Sequence, residues 1–265
     1  HLHNVDNMAH VFWNWAIERD YQPGLNTDAY VQFIENAYLD TDRYVGSFLH
    51  YLDEGWTIFI VSDHGLLVTE ELPPVLGDPF GVNAGVMCEL GYTVLKEDAD
   101  GKKAIDWTKT RALATRGNHI WINLKGRNPN GIVEPADKYE LERQIITDLY
   151  GYKEPKHGRR IVSLAMRNKD AAIVGMSGPE CGDIIYWLEE GFNRVHGDSL
   201  STFKGCVDTS VSPIFIAAGQ GIKPGYTKRV IRQVDVAATL AVLGGVRMPR
   251  ECEGAPVYQI LEQEF

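Results

Sequence analysis

The stretch from residue 28 to residue 65 constrains the architecture more than any other. In DAYVQFIENAYLDTDRYVGSFLHYLDEG, the apolar positions Tyr30, Ile34, Ala37, Tyr38, Val45, Phe48, Leu49 and Leu52 keep spacings of three and four. That periodicity predicts an amphipathic helix. Gly55 stops it, because glycine tolerates the left-handed turn with which helices end. WTIFIVS follows at once, apolar and rich in β-branched residues, as expected of a strand covered on both faces of a parallel sheet. A helix feeding such a strand is the repeating unit of an α/β fold. The strand delivers Asp63, His64 and Gly65 at its end.

The remainder keeps alternating. Residues 1–20 predict a strand-end loop running into a short helix. A helix is expected around 81–90, a strand at HIWINL (119–124), and a turn-rich loop at KGRNPNG. A charged helix follows over 135–150, then strands at RRIVSLAM and DIIYWLE. NRVHGDSLST reads as a polar loop around His196. SPIFIAAGQGI reads as a further buried strand, and Asp235 as the cap of a last apolar helix. The fold expected is therefore α/β with a largely parallel sheet. Three regions are expected: 1–65 and 196–265 as parts of the α/β core, and 66–195 as an inserted, cap-like subdomain.

The strand-end carboxylate and imidazole suggest chemistry, since sites in open α/β sheets gather at the carboxyl ends of strands. Asp63 and His64 suit a borderline divalent ion such as zinc or manganese; equally, Asp63 could cap a turn. Asp6 and His10 are four residues apart, so on a helix both face one side and can grip one ion. Asp6 would also serve as a helix N-cap. His196 could add a third ligand or be a solvated loop residue. His119, Asn123 and Lys125 are candidates for facing a substrate, against packing for the first two and a solvated loop for the third.

Charge narrows the substrates. The net formal charge is −10, which is a poor match to a polymeric phosphate backbone. No nucleic-acid polymer is expected as a partner. A small phosphate ester remains compatible if metal cations supply local positive charge. Cys88, Cys181, Cys206 and Cys252 form no C-x-x-C pair, so thiols rather than a disulfide framework are expected, leaning toward a reducing, cytoplasmic compartment. No run approaches the ~18–20 apolar residues of a membrane span.

Taken in order, D-x-x-x-H, helix–strand–DHG, and H-G ahead of SPIFIAAG resemble the alkaline phosphatase superfamily. INLKGRNPNGIV, IAAGQGIKPG and QVDVAATLAVLGGVRMP are similar to its type I phosphodiesterase/nucleotide pyrophosphatase members. The resemblance implies a three-layer sandwich and two divalent ions, zinc or manganese. Asp6, His10 and His196 would hold one ion, and Asp63 and His64 the other. It implies hydrolysis of a phosphodiester or nucleotide pyrophosphate by attack of a Thr or Ser hydroxyl. Phosphomonoesterase, phosphonate hydrolase, sulfatase and phosphoglycerate mutase-like activities share the same metal geometry. A metal-binding interaction fragment without catalysis is the rival class.

The nucleophile of such proteins lies well before the D-x-x-x-H motif, and only five residues precede Asp6. No catalytic Thr or Ser is identified here. The expectation is that an N-terminal half of the same protein carries it, and that this chain alone is inactive. A chain without that half is expected to expose sheet edge and apolar surface.

Overall fold

A computed structural model of the chain describes all residues except 14, 17–23, 25, 69–75, 78–83, 116, 190–191, 193–206, 226, 228 and 263–265, and only the backbone of 68 and 207–209. The chain divides into two compact units. One comprises 1–5, 35–65 and 210–265; the other comprises 6–34 and 66–209.

The second unit holds the core. Its centre is a four-stranded sheet of β5 (Ala112–Thr115), β6 (His119–Ile122), β8 (Ile184–Leu188) and β7 (Val162–Arg167), in the order β5-β6-β8-β7. Ile120, Ile122, Ile184 and Ile185 are wholly buried, each of them worth roughly 2–3 kcal/mol of transfer free energy. Helix α5 (Lys138–Gly151) follows a 3-10 turn at Pro135–Asp137 and lies against β7, burying Leu141, Ile145 and Leu149. The short helix α4 (Gly85–Glu89) adds Val86 and Met87 to the same cluster. Strands β3 (Leu95–Glu97) and β4 (Lys103–Ile105) make a separate hairpin.

The expected largely parallel sheet is corrected here. The ladders of β1 (Thr57–Val61) with β10 (Phe215–Gly219), β3–β4, β5–β6, β6–β8 and β7–β8 are all antiparallel. For β5 and β6 the reason is connection length, since only three residues separate Thr115 from His119 and so short a link can join only antiparallel strands. At that turn Asn118 takes a left-handed φ of 66°, and its side-chain amide donates to the Tyr186 carbonyl.

The first unit is thinner. Strand β1 (Thr57–Val61) pairs with β10 (Phe215–Gly219) in a two-stranded ladder, from Thr57 opposite Gly219 to Val61 opposite Phe215. Helix α6 (Asp235–Leu243) buries Ala238, Thr239 and Ala241. Asp235 is the helix's first residue and not its side-chain cap. Its carboxylate instead accepts from the Arg232 and Ala255 amides and from the Arg229 and Arg232 guanidiniums. Burial alone would raise its pKa, but those donors outweigh burial and pull it down to about 2.

Helix α2 (Thr27–Gly46) begins where the Asn26 side chain accepts from the Ala29 amide at 3.3 Å, an N-cap arrangement. After helix α3 (His50–Asp53), Gly55 adopts φ +84°, its amide donates to Leu52 and the Trp56 amide to Tyr51. That is the paired-bond glycine terminator that the sequence predicts at this position. Among the described residues no helix is long and apolar enough to cross a membrane.

Candidate metal centre

Helix α1 (Asn4–Phe12) places Asp6 in its first turn and His10 in its last. One helical turn separates them, and His10 Nε2 lies 3.2 Å from Asp6 Oδ1. The imidazole is buried, at 6% exposure, while the carboxylate is a third exposed. Phe12 anchors the helix end, stacking on Phe33 at 5.1 Å and tilting against Tyr30 at 5.8 Å. A carboxylate oxygen and an imidazole nitrogen are both donor types that a divalent ion such as zinc accepts.

In the first unit, Asp63 and His64 follow β1 in the loop before β2 (Gly65–Val68), which pairs with β9 (Val207–Ser210). Ser62 fixes that loop. Its hydroxyl donates to the His64 carbonyl and accepts from the Ile214 amide, and its own amide donates to the Ile214 carbonyl. His64 Nδ1 lies 2.8 Å from the Gly65 carbonyl oxygen. A carbonyl can only accept, so Nδ1 is the donor in this contact, and Nε2 is the ring nitrogen left to ligate. Nε2 is 4.0 Å from Asp63 Oδ2, and Asp63 is largely exposed. Gly65 permits the close return of the chain, since a Cβ there would sit 3.0 Å from the Ser212 carbonyl oxygen. His196 lies outside the described residues.

The three residues expected to face substrate occupy β6 and the loop after it. His119 Nδ1 accepts from the Gly182 amide at 3.1 Å, and burial lowers its pKa, which keeps the ring neutral near pH 7. Asn123 is buried, and its amide nitrogen donates to the carbonyls of Trp107, Thr110 and Asn130. Lys125 pairs with Glu134.

A buried charged cluster that no local pattern announces surrounds Asp183. Asp183, 5% exposed, receives both arms of the Arg127 guanidinium at 2.7 Å. It also accepts from the Ile122 amide and lies 3.1 Å from Lys138 Nζ. Burial works to raise the Asp183 pKa, but Arg127, the Ile122 amide and Lys138 prevail and lower it. The signal available was an aspartate directly preceding the apolar run IIYWL, together with an arginine in the KGRNPNG loop; nothing local links the two.

Cys88, Cys181 and Cys252 are not in disulfides.

The model of the type I phosphodiesterase/nucleotide pyrophosphatase family matches residues 1–210. A protein of Myroides odoratus described as a calcium-transporting ATPase is 24% identical over 242 residues, covering 87% of this chain and 42% of that protein. Among solved structures, wild-type alkaline phosphatase PafA aligns with a TM-score of 0.51 at 19% identity, over 89% of this chain and 46% of PafA. A PafA mutant aligns with the same TM-score at 18% identity. At those identities the likeness is one of fold. The chain spans less than half the length of the relatives it matches.

Proposed function

The chain belongs to the type I phosphodiesterase/nucleotide pyrophosphatase family, and on that premise we propose that it supplies metal ligands to a phosphoesterase acting on phosphodiesters or nucleotide pyrophosphates. The observation that carries the reading is the Asp6–His10 pair, a buried imidazole held 3.2 Å from a carboxylate on one helix face. Its donor set suits zinc or manganese.

In this reading Asp6, His10 and His196 hold one ion, and Asp63 and His64 contribute to a second. Bound divalent ions supply Lewis acidity toward the phosphoryl oxygens and lower the pKa of an attacking oxygen. The chain's own residues orient. The His64 Nδ1–H bond to the Gly65 carbonyl fixes the imidazole plane, and Ser62 fixes the loop that carries it. The neutral His119 ring and the exposed Lys125 ammonium are the groups assigned to the substrate, with Asn123 holding the strand end that presents Lys125. The attacking Thr or Ser hydroxyl is assigned to a part of the protein outside this sequence.

The test is zinc titration of the chain followed by metal analysis after desalting. Wild type should retain zinc stoichiometrically, and His10→Ala should weaken retention at least ~10-fold, the scale at which disturbed ligation shows itself. Equal retention by both proteins would overturn the metal assignment. For activity, a longer polypeptide containing this sequence should hydrolyse bis-p-nitrophenyl phosphate faster than the monoester. The reverse preference would move the reading to a phosphomonoesterase.

A further inference from the structure

Unit 1 carries a ladder of aromatic rings that its own fold does not cover. Tyr44 and Phe48 meet edge to face at 5.1 Å, Phe48 lies 6.4 Å from Tyr51, and Tyr51 lies 5.9 Å from Trp56. The rings are 49%, 40%, 38% and 59% exposed, and Leu49 beside them is half exposed. The glycine terminator at Gly55 turns Trp56 back toward Tyr51, so the ladder is held in place by backbone hydrogen bonds as well as by ring contacts. Contiguous exposed rings of this kind mark a surface built for a partner, and Tyr, Phe and Trp are the residues interfaces favour. The strands that follow share the trait, with Val61, Ile214 and Ile216 each about half exposed on β1 and β10 or beside them.

The occupant is indicated by length. The matched relatives are more than twice as long as the aligned portion, which covers 42% of one and 46% of the others. We propose that the Tyr44–Phe48–Tyr51–Trp56 ladder is the docking surface for the part of the family fold that this sequence does not include. That part seats an apolar face on the ladder and joins the thin β1–β10 ladder to the remainder of the fold. This rests on family membership and not on the metal or the reaction, so it stands or falls separately from them.

The test is association. The remainder of the full-length polypeptide is co-expressed with the tagged 265-residue chain, and the complex is measured by size exclusion and by titration. Wild type should form a one-to-one complex. The double variant Phe48→Asp/Tyr51→Asp should bind about 100-fold more weakly, as expected for charges placed in an interface centre. Ile173→Asp, at an 80% exposed site in the other unit, should bind as wild type does. Circular dichroism of each variant alone separates lost docking from lost folding; a misfolded double variant is replaced by Phe48→Ser. Failure to form a complex, or equal binding by the folded ladder variant, overturns the proposal. So does self-association of the chain that the ladder variant abolishes, because the occupant would then be a second copy.

Discussion

Strands β8 and β1 are both predominantly apolar five-residue runs, and they have opposite fates. IIYWL of β8 has Ile184 and Ile185 wholly buried and Tyr186 at 3% exposure, with β6 on one side and β7 on the other. TIFIV of β1 is half-buried along its length, ends on a Val61 that is 49% exposed, and pairs only with β10 among the described residues. An apolar β-branched run states that a strand needs cover on both faces. It does not state whether the covering segment is in the same stretch of chain.

The largest test of that contrast is a truncation in each ladder. Ile184→Ala should cost about 3–4 kcal/mol in urea denaturation, transfer and cavity terms together. Ile216→Ala, at a 52% exposed site on β10, should cost under about 1 kcal/mol. Equal costs would mean that β10 is covered after all. Next in size, Asp183→Asn removes the buried partner of Arg127 and Lys138. Arg127 is 36% exposed, and solvent screening of its charge reduces the penalty to about 2–3 kcal/mol.

Acid should act through the buried carboxylates of both units. Asp183 and Asp235 have pKa values below the ordinary carboxylate range in the folded chain. A depressed folded pKa contributes stability above the unfolded value near 4, and that stability is lost as pH falls through the folded value. For Asp235 the loss runs from the unfolded value near 4 down through the folded value of about 2. Thermal melts between pH 5 and 2 should therefore show falling stability, with Asp235→Asn flattening the lower end. An unchanged slope in that variant would remove Asp235 as a contributor. The smallest effect is Gly55→Ala, which forces a Cβ onto a φ of +84° and to 3.1 Å from Gln220 Oε1. It should cost about 1 kcal/mol by thermal melt, and a stabilised variant would show that the terminator is not under that strain.

Local periodicity made the elements legible. The Gly55 stop, β6, β8 and α5 follow from spacing and turn chemistry visible in the sequence, whereas the single helix expected over 28–52 is broken by a turn at 47–49 into α2 and α3. Which face each element buries was less legible. Of the apolar positions expected on the long helix, Ile34 and Ala37 are buried, while Tyr38, Phe48 and Leu49 are exposed. Spacing cannot report what lies opposite. Strand direction was misjudged for a related reason, since βαβ alternation is inferred from element order alone, whereas β1 and β10 pair across more than 150 residues. Asp6 and His10 were legible because one helical turn relates them. Asp183 and Arg127 were not, because 56 residues separate them and only the folded sheet brings them together.

Asn123 offers one nitrogen to three carbonyl oxygens at 2.9, 3.0 and 3.2 Å, yet a carboxamide has two hydrogens. One of the three contacts is therefore always sharing a proton with another, and the longest, to Trp107, is the natural one to yield. The joint between β6 and its following loop is thus short by one hydrogen, a built-in looseness at a buried position. Conversion of Asn123 to Asp would leave no donor facing three acceptors, so a change of less than one dalton would set that joint against itself.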